Sequence, residues 1–250
     1  MSTIPLPKAR DLAMLFHLNS EPWMNQQAYN DPSVLHSFRT IDGADPVIPL
    51  PAAASTPVFD VIRSRYSCRH FANTTMPLEV LATLLHQGYG VLGLRDADGV
   101  SVHHRPVPSA GALFPLELYA ITHNVDGLPD GIYHYAAWNH RLECIKTGVE
   151  FSELLPNLQE QHYILGANIL LFLTAVFSRT MTKYGPRGYR YMFLEAGHVA
   201  QNLCILAAER KLGTLCMGGF RDAYINDLLQ LNPRDEGALY GMAIGQPVAA

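Results

Sequence analysis

Residues Ser178–Tyr191, SRTMTKYGPRGYRY, gather Arg179, Lys183, Arg187 and Arg190 with Tyr184, Tyr189 and Tyr191, and contain no acid. Four of the chain's 18 Lys and Arg residues fall in this one stretch. Such a group either forms a solvated loop or serves an anion or a proton transfer. Three further pieces carry candidate chemistry. RSRYSCRHF (63–71) offers Arg63, Arg65, Arg69 and Ser67. Guanidinium groups bind a phosphate through paired hydrogen bonds and a hydroxyl adds one more, although a basic helix end would carry the same residues. RPVPSAGALFP (105–115) sets small residues between prolines, which lets backbone approach a flat ligand or simply turn before a strand. MGGFRD (217–222) follows an expected strand, and Gly218 and Gly219 expose backbone N–H groups there.

Other chemistries find little support. Cys68, Cys144, Cys204 and Cys216 show no paired Cys spacing and no Cys/His ligand pattern, so neither a structural zinc nor a disulfide framework is expected. His103 and His104 are adjacent, which is poor geometry for one metal. Glu195 and His198 form a single ExxH, whereas a di-iron carboxylate centre needs the motif twice with further Glu. Helix packing is the better reading of that pair, and no metal is expected. No GxSxG, GxGxxG or Walker loop is present.

The elements that must position these residues follow from composition and periodicity. The chain has 250 residues, 48% hydrophobic and 16% charged, enough to bury a large core. A net charge of -4 argues against general nucleic-acid binding. The N-terminus lacks an apolar signal core, and the longest apolar run, Ile169–Phe177 broken by Thr174, is far short of the roughly 20 residues that span a bilayer. A cytoplasmic protein without membrane attachment is expected. Residues 1–55 form an arm rich in Pro, Asn and Ser, with apolar anchors in LFHLNS and PWMN that should pack on a body of residues 56–250. ADPVIPLPAAASTP reads as extended. Helices are predicted for PVFDVIRSRYS, for PLEVLATLLHQG between Pro77 and Gly88, and for Tyr191 to Arg210 with Gly213 ending it. LELYAITHNV, GIYHYAAWNHRLECI with a turn at AAWNH, NILLFLTAVF, TLCMGGF and ALYGMAIG read as strands. The order predicts an α+β sandwich with one main sheet.

Taken together, SRYSCRHF, PSAGALFPLELY, VDGLPDGIYHY, KYGPRGYRYMFLEAGHVAQNL, LGTLCMGGF and LYGMAIGQP resemble the nitroreductase fold over roughly residues 55–247. The closer resemblance is to its SagB/McbC-type branch, the FMN-dependent azoline oxidases of modified-peptide and nonribosomal-peptide biosynthesis. The resemblance implies a mainly antiparallel sheet flanked by helices and an intertwined homodimer with FMN at the subunit interface. It implies that Arg65, Ser67 and Arg69 hold the FMN phosphate and ribityl chain, with Tyr66 standing where the family commonly has a second Arg. Pro108, Ser109, Ala110 and Gly111 would line the isoalloxazine, and Met217, Gly218 and Gly219 its N5 and O4 edge. Phe114 stands where Tyr is common. No basic residue follows Gly245, so Arg65 and Arg69 are expected to carry the phosphate. The short arm leaves substrate recognition to itself, the dimer surface or another protein.

Lys183 and Tyr184 match the presumed catalytic pair of those oxidases. Aromatising a thiazoline or oxazoline removes a proton from one ring carbon and a hydride from its neighbour. The proton needs a base within hydrogen-bond reach. A free phenol is a poor base at neutral pH, and neighbouring cations favour the phenolate. A buried Lys amine could equally take the proton, so the sequence leaves both assignments open. The expected substrate is a peptide or carrier-bound intermediate, with a heterocyclase as a possible partner. The alternatives are an NAD(P)H-dependent nitro or quinone reductase and a scaffold subunit of a heterocyclase complex.

Overall fold

The computed structural model describes residues 13–17, 20, 39–159 and 161–248. Six segments form one sheet: β3 (Leu116–Thr122), β4 (Gly131–Ala136), β5 (Arg141–Thr147), β6 (Ile169–Val176), β7 (Gly213–Met217) and β8 (Glu236–Gly245). Their order is β5-β4-β3-β6-β8-β7, and every neighbouring pair is antiparallel. The apolar run of β6 lies between β3 and β8 and is buried along almost its whole length, as expected of a strand covered on both faces. Leu171, Leu173 and Ala175 enter one core, and Leu170 and Phe172 the other, the two-residue alternation of a pleated strand.

Helices α2 (Leu78–Tyr89) and α5 (Arg187–Glu209) cover the first face. Leu81, Leu84 and Leu85 of α2 meet Ala196, Val199, Ala200, Leu203 and Ala207 of α5 in one core. The approach is close enough that a Cβ on Gly88 would lie 2.6 Å from Leu203 Cδ2. Gly88 therefore serves packing inside α2 and does not end it. The cap is Gly90, whose N–H bonds to His86 O, while Pro77 is the N-cap. The second face is covered by α3 (Phe151–Leu154), the loop that follows it and α6 (Asp222–Leu228), through Leu154, Leu158, Ile164 and Ile225.

Other elements also differ from those the sequence predicts. α5 begins at Arg187, four residues before Tyr191, because Pro186 takes the N-cap. It ends at Glu209, and Lys211 with φ of 58° turns the chain, so Gly213 already belongs to β7. The cation-rich stretch is no loop: α4 (Phe177–Tyr184) precedes α5, and Gly185, with φ of 56° and ψ of -146°, breaks the path between them. That backbone geometry is essentially reserved for glycine. A hairpin of β1 (Gly93–Ala97) and β2 (Val100–His104) stands apart from the main sheet; the sequence reading did not include it.

The predicted first helix is α1 (Pro57–Ser64), with Thr56 Oγ1 accepting from Phe59 N, but it buries none of its residues, and Val58 and Ile62 stay exposed. Residues 45–56 have no regular structure and are exposed, in keeping with their prolines. Of the arm, residues 13–17 are helical; Ala13 and His17 are buried, and His17 Nδ1 lies 2.7 Å from Tyr189 Oη. The PWMN anchor lies outside the described residues. Among the described residues no helix is long and apolar enough to cross a membrane.

Candidate active site

Lys183 and Tyr184 sit at the C-terminal end of α4, and the loop 108–114 crosses in front of them. Residues Ala110–Ala112 make a single 3-10 turn, with φ of 64° at Gly111, 53° at Ala112 and 43° at Phe114. A Cβ on Gly111 would lie 2.8 Å from both Lys183 Nζ and Tyr184 Oη. The two polar atoms thus converge on one point above a residue that has no side chain. Lys183 Nζ also lies 5.3 Å from the centre of the Tyr184 ring, and Tyr191 packs edge-on against that ring at 5.2 Å.

The loop is fastened from below by groups the sequence did not connect. Ser109 Oγ accepts from Phe114 N at 2.9 Å, and its hydroxyl bonds to the Glu195 carboxylate. Tyr89 Oη donates to Glu195 Oε1 at 2.8 Å and accepts from Leu116 N at 3.3 Å. Burial raises the Glu195 pKa, while Ser109, Tyr89 and the Arg105 charge act to lower it. Burial also lifts the Tyr89 phenol well above its ordinary value. The ExxH pair diverges: Glu195 is buried in this network and His198 is exposed. The available signal was an acid on the same face of α5 as Ala196 and Val199.

Arg179, one turn before Lys183, is already engaged. It bonds Glu117 Oε1 at 2.6 Å and Phe114 O at 3.3 Å. His134 Nε2 contacts the other Glu117 oxygen at 3.0 Å. Burial alone would raise the Glu117 pKa, but His134 and Arg179 outweigh it and hold the carboxyl below its ordinary 4.5. The bond to Glu117 in turn holds the His134 pKa above 6.5, against the opposing effect of burial. The depressed acid stabilises the fold above pH 4.5 and loses that contribution as pH falls through its folded pKa; the raised His stabilises below pH 6.5 and loses its contribution as pH rises through its own. His134→Gln should therefore cost most between these two values and least in the alkaline range. The groups are partly exposed, so the cost should stay within about 1 kcal/mol. Denaturant midpoints across pH measure it.

The remaining expected residues form a second group. Ser67 bridges Thr214 of β7, and Cys68 N donates to Thr214 O at 2.9 Å. Cys68 is buried, whereas Ser67 and Arg69 are exposed and Arg65 is half-buried. Among the described residues neither arginine has an ion-pair partner. Tyr66 is exposed. β7 ends at Met217, whose side chain is buried, leaving only its backbone for a ligand. A Cβ on Gly218 would meet nothing within 4 Å, and Gly219 O accepts from Gln161 Nε2 at 2.9 Å. Unpaired guanidiniums, a hydroxyl and an open glycine backbone along one strand suit a phosphate-bearing cofactor with a flat ring. Among the described residues no hydrogen bond or ion pair links this group to the one at Gly111.

Comparison with known proteins gives a consistent result. The nitroreductase family profile matches residues 62–246. A nitroreductase-like protein of Methanocaldococcus jannaschii is 34% identical over 201 residues, 80% of this chain and 96% of the relative. The microcin B17-processing protein McbC of Escherichia coli is 28% identical over 136 residues, 52% of this chain and 50% of McbC. The E. coli microcin synthetase McbBCD complex with truncated pro-MccB17 bound matches with a TM-score of 0.77 at 20% identity, over 98% of this chain and 95% of that one. A Desulfovibrio desulfuricans structure described as a nitroreductase in complex with FMN matches with a TM-score of 0.55 at 17% identity, over 78% and 89%. Both structural likenesses are of fold.

Proposed function

The chain belongs to the nitroreductase family, and from that premise we propose that it is an FMN-dependent dehydrogenase that oxidises an azoline to the aromatic azole. The observation that carries this is the meeting of Lys183 Nζ and Tyr184 Oη above Gly111. A reductase fed by a nicotinamide needs no such pair, whereas aromatisation must remove a carbon-bound proton. Bound FMN would supply the acceptor for the hydride and pass the electrons to oxygen. The chain's own residues do the rest. Arg65, Ser67 and Arg69 would hold the phosphate, with Tyr66 beside them. Pro108, Ser109, Ala110 and Gly111 would lie along the ring, with the Met217–Gly219 backbone at its edge. Lys183 and Tyr184 would take the ring proton, one as base and the other holding it by hydrogen bond and charge.

Among the described residues the two groups are unlinked within one chain, and a homodimer that sets one chain's Gly111 group against its partner's Arg65 group would complete the site. Exposed Phe193, Leu194, Val58 and Ile62 offer apolar surface for such a partner. The substrate would be a peptide or carrier-bound heterocycle, with a heterocyclase as partner; the likeness to a microcin synthetase complex supports this. Four free thiols suit a cytoplasmic location.

The test is an anaerobic visible spectrum of the purified protein. Addition of a thiazoline-containing peptide should bleach the flavin band and yield a product two hydrogens lighter, while NADH and NADPH should bleach it slowly. Rapid bleaching by a nicotinamide, with no azole formed, would instead make the protein a nitro or quinone reductase.

A further inference from the structure

Beside the Lys183–Tyr184 pair lies a cavity of about 390 Å³ between the β1–β2 hairpin, β4 and the start of α4. Its wall begins at Ala112, one residue from Gly111, and includes Arg179, one turn from Lys183. Two features give it a chemistry. Trp138, at the β4–β5 turn, is 63% exposed and leans on the His103 ring at 4.8 Å, so the rim is a large flat aromatic surface left open to solvent. The charges inside are unequal. Glu117 is matched by both Arg179 and His134, whereas Arg105 has no carboxylate within ion-pair distance among the described residues. Its guanidinium is held 4.5 Å from the Tyr89 ring centre and 4.9 Å from that of Phe114, and Nη1 makes only a long 3.4 Å bond to Tyr89 O. Among the described residues its Nε is buried without a partner. A cation fixed between two rings is ready to donate, and the pocket itself gives it little to donate to.

We propose that this cavity is a subsite for a planar ring bearing a carboxylate or carbonyl, with Arg105 donating to the oxygen and Trp138 packing on the ring. A peptide azoline carries such an oxygen in a substituent on one of the two ring carbons that lose hydrogen, as the acid or as the peptide carbonyl. On the function proposed above, on which this assignment of the ligand rests, the subsite would orient that substituent while the pair takes the proton.

The chain has 2 tryptophans, so a Trp23→Phe background leaves Trp138 as sole reporter. Its fluorescence is titrated with thiazole-4-carboxylate, benzoate and thiazole-4-carboxamide. The carboxylates should quench saturably, and Arg105→Gln should raise their Kd at least about tenfold, as expected for loss of a charge-assisted hydrogen bond. Carboxamide binding as tight as the acid identifies a carbonyl as the recognised group; loss of carboxamide binding identifies a carboxylate. Unchanged Kd values in Arg105→Gln with native near-UV circular dichroism, or no saturable quenching by any probe, would overturn the proposal. If Arg105→Gln fails to fold, Arg105→Lys by fluorescence and Trp138→Ala by calorimetry decide by the same criterion. Arg105-dependent binding without azoline oxidation would keep the subsite and remove the function; oxidation with Arg105-independent binding would do the reverse.

Discussion

Replacing Lys183 with Ala and Tyr184 with Phe together should lower the rate of azole formation by about 10²–10⁴, the usual worth of a positioned acid-base group. Flavin content and thermal stability should stay near those of the parent protein. Lys183 is exposed and Tyr184 half-buried at a helix end, so neither truncation opens a core cavity. The single variants separate the roles. The base should show the larger loss and a changed pH profile, while its partner should show a smaller loss at unchanged pH dependence. Two groups acting as a unit lose less than additively when both are removed. Azole yield that survives the double change would end the proposed mechanism, whatever the flavin content.

Gly111→Ala is expected to be nearly as damaging, although it adds one carbon. The new Cβ would sit 2.8 Å from both Lys183 Nζ and Tyr184 Oη, and the residue keeps φ of 64°. The backbone strain costs about 1–2 kcal/mol, which the fold can absorb. The displaced side chains are the larger effect, since a shift of about 1 Å in a reacting group can cost about 10²-fold in rate. The signature is a folded protein with nearly normal midpoint and strongly reduced turnover. Equal loss of folding and turnover would mean that the glycine serves only the turn.

How legible all this is in the sequence depends on whether the signal is local. β6 and the buried face of α5 are legible because burial writes itself as apolar runs and small-residue spacing. The β1–β2 hairpin is missing from the sequence expectations although Asp98-Gly99, with φ of 54° and 81° at its turn, is a strong short-range hairpin signal. Gly88 misleads because its glycine answers to Leu203, a residue far along the chain. α4 has no side-chain N-cap and mixes Arg, Lys and Thr with few apolar residues, so nothing local marks it. The site divides in the same way. Lys183, Tyr184 and Gly111 stand out by motif, but their convergence is a tertiary fact. The Ser109–Glu195–Tyr89 fastening joins three distant segments, and no spacing announces it. Met217 is legible as a strand end, yet its side chain turns into the core and only backbone remains for a ligand.

β7 is the last strand of the sheet, and an edge strand offers unpaired backbone groups to any passing chain. Here the segment carrying Arg65, Ser67 and Arg69 lies along it, held at Ser67 and Cys68 by Thr214. The residues proposed to grip the phosphate are therefore also the lid over an adhesive edge. On the function proposed above, stripping the flavin should loosen that lid, so cofactor loss and clumping should travel together during purification and storage. Yield, shelf life and fill level would then be one property of this protein, governed by the short segment held to Thr214 of β7.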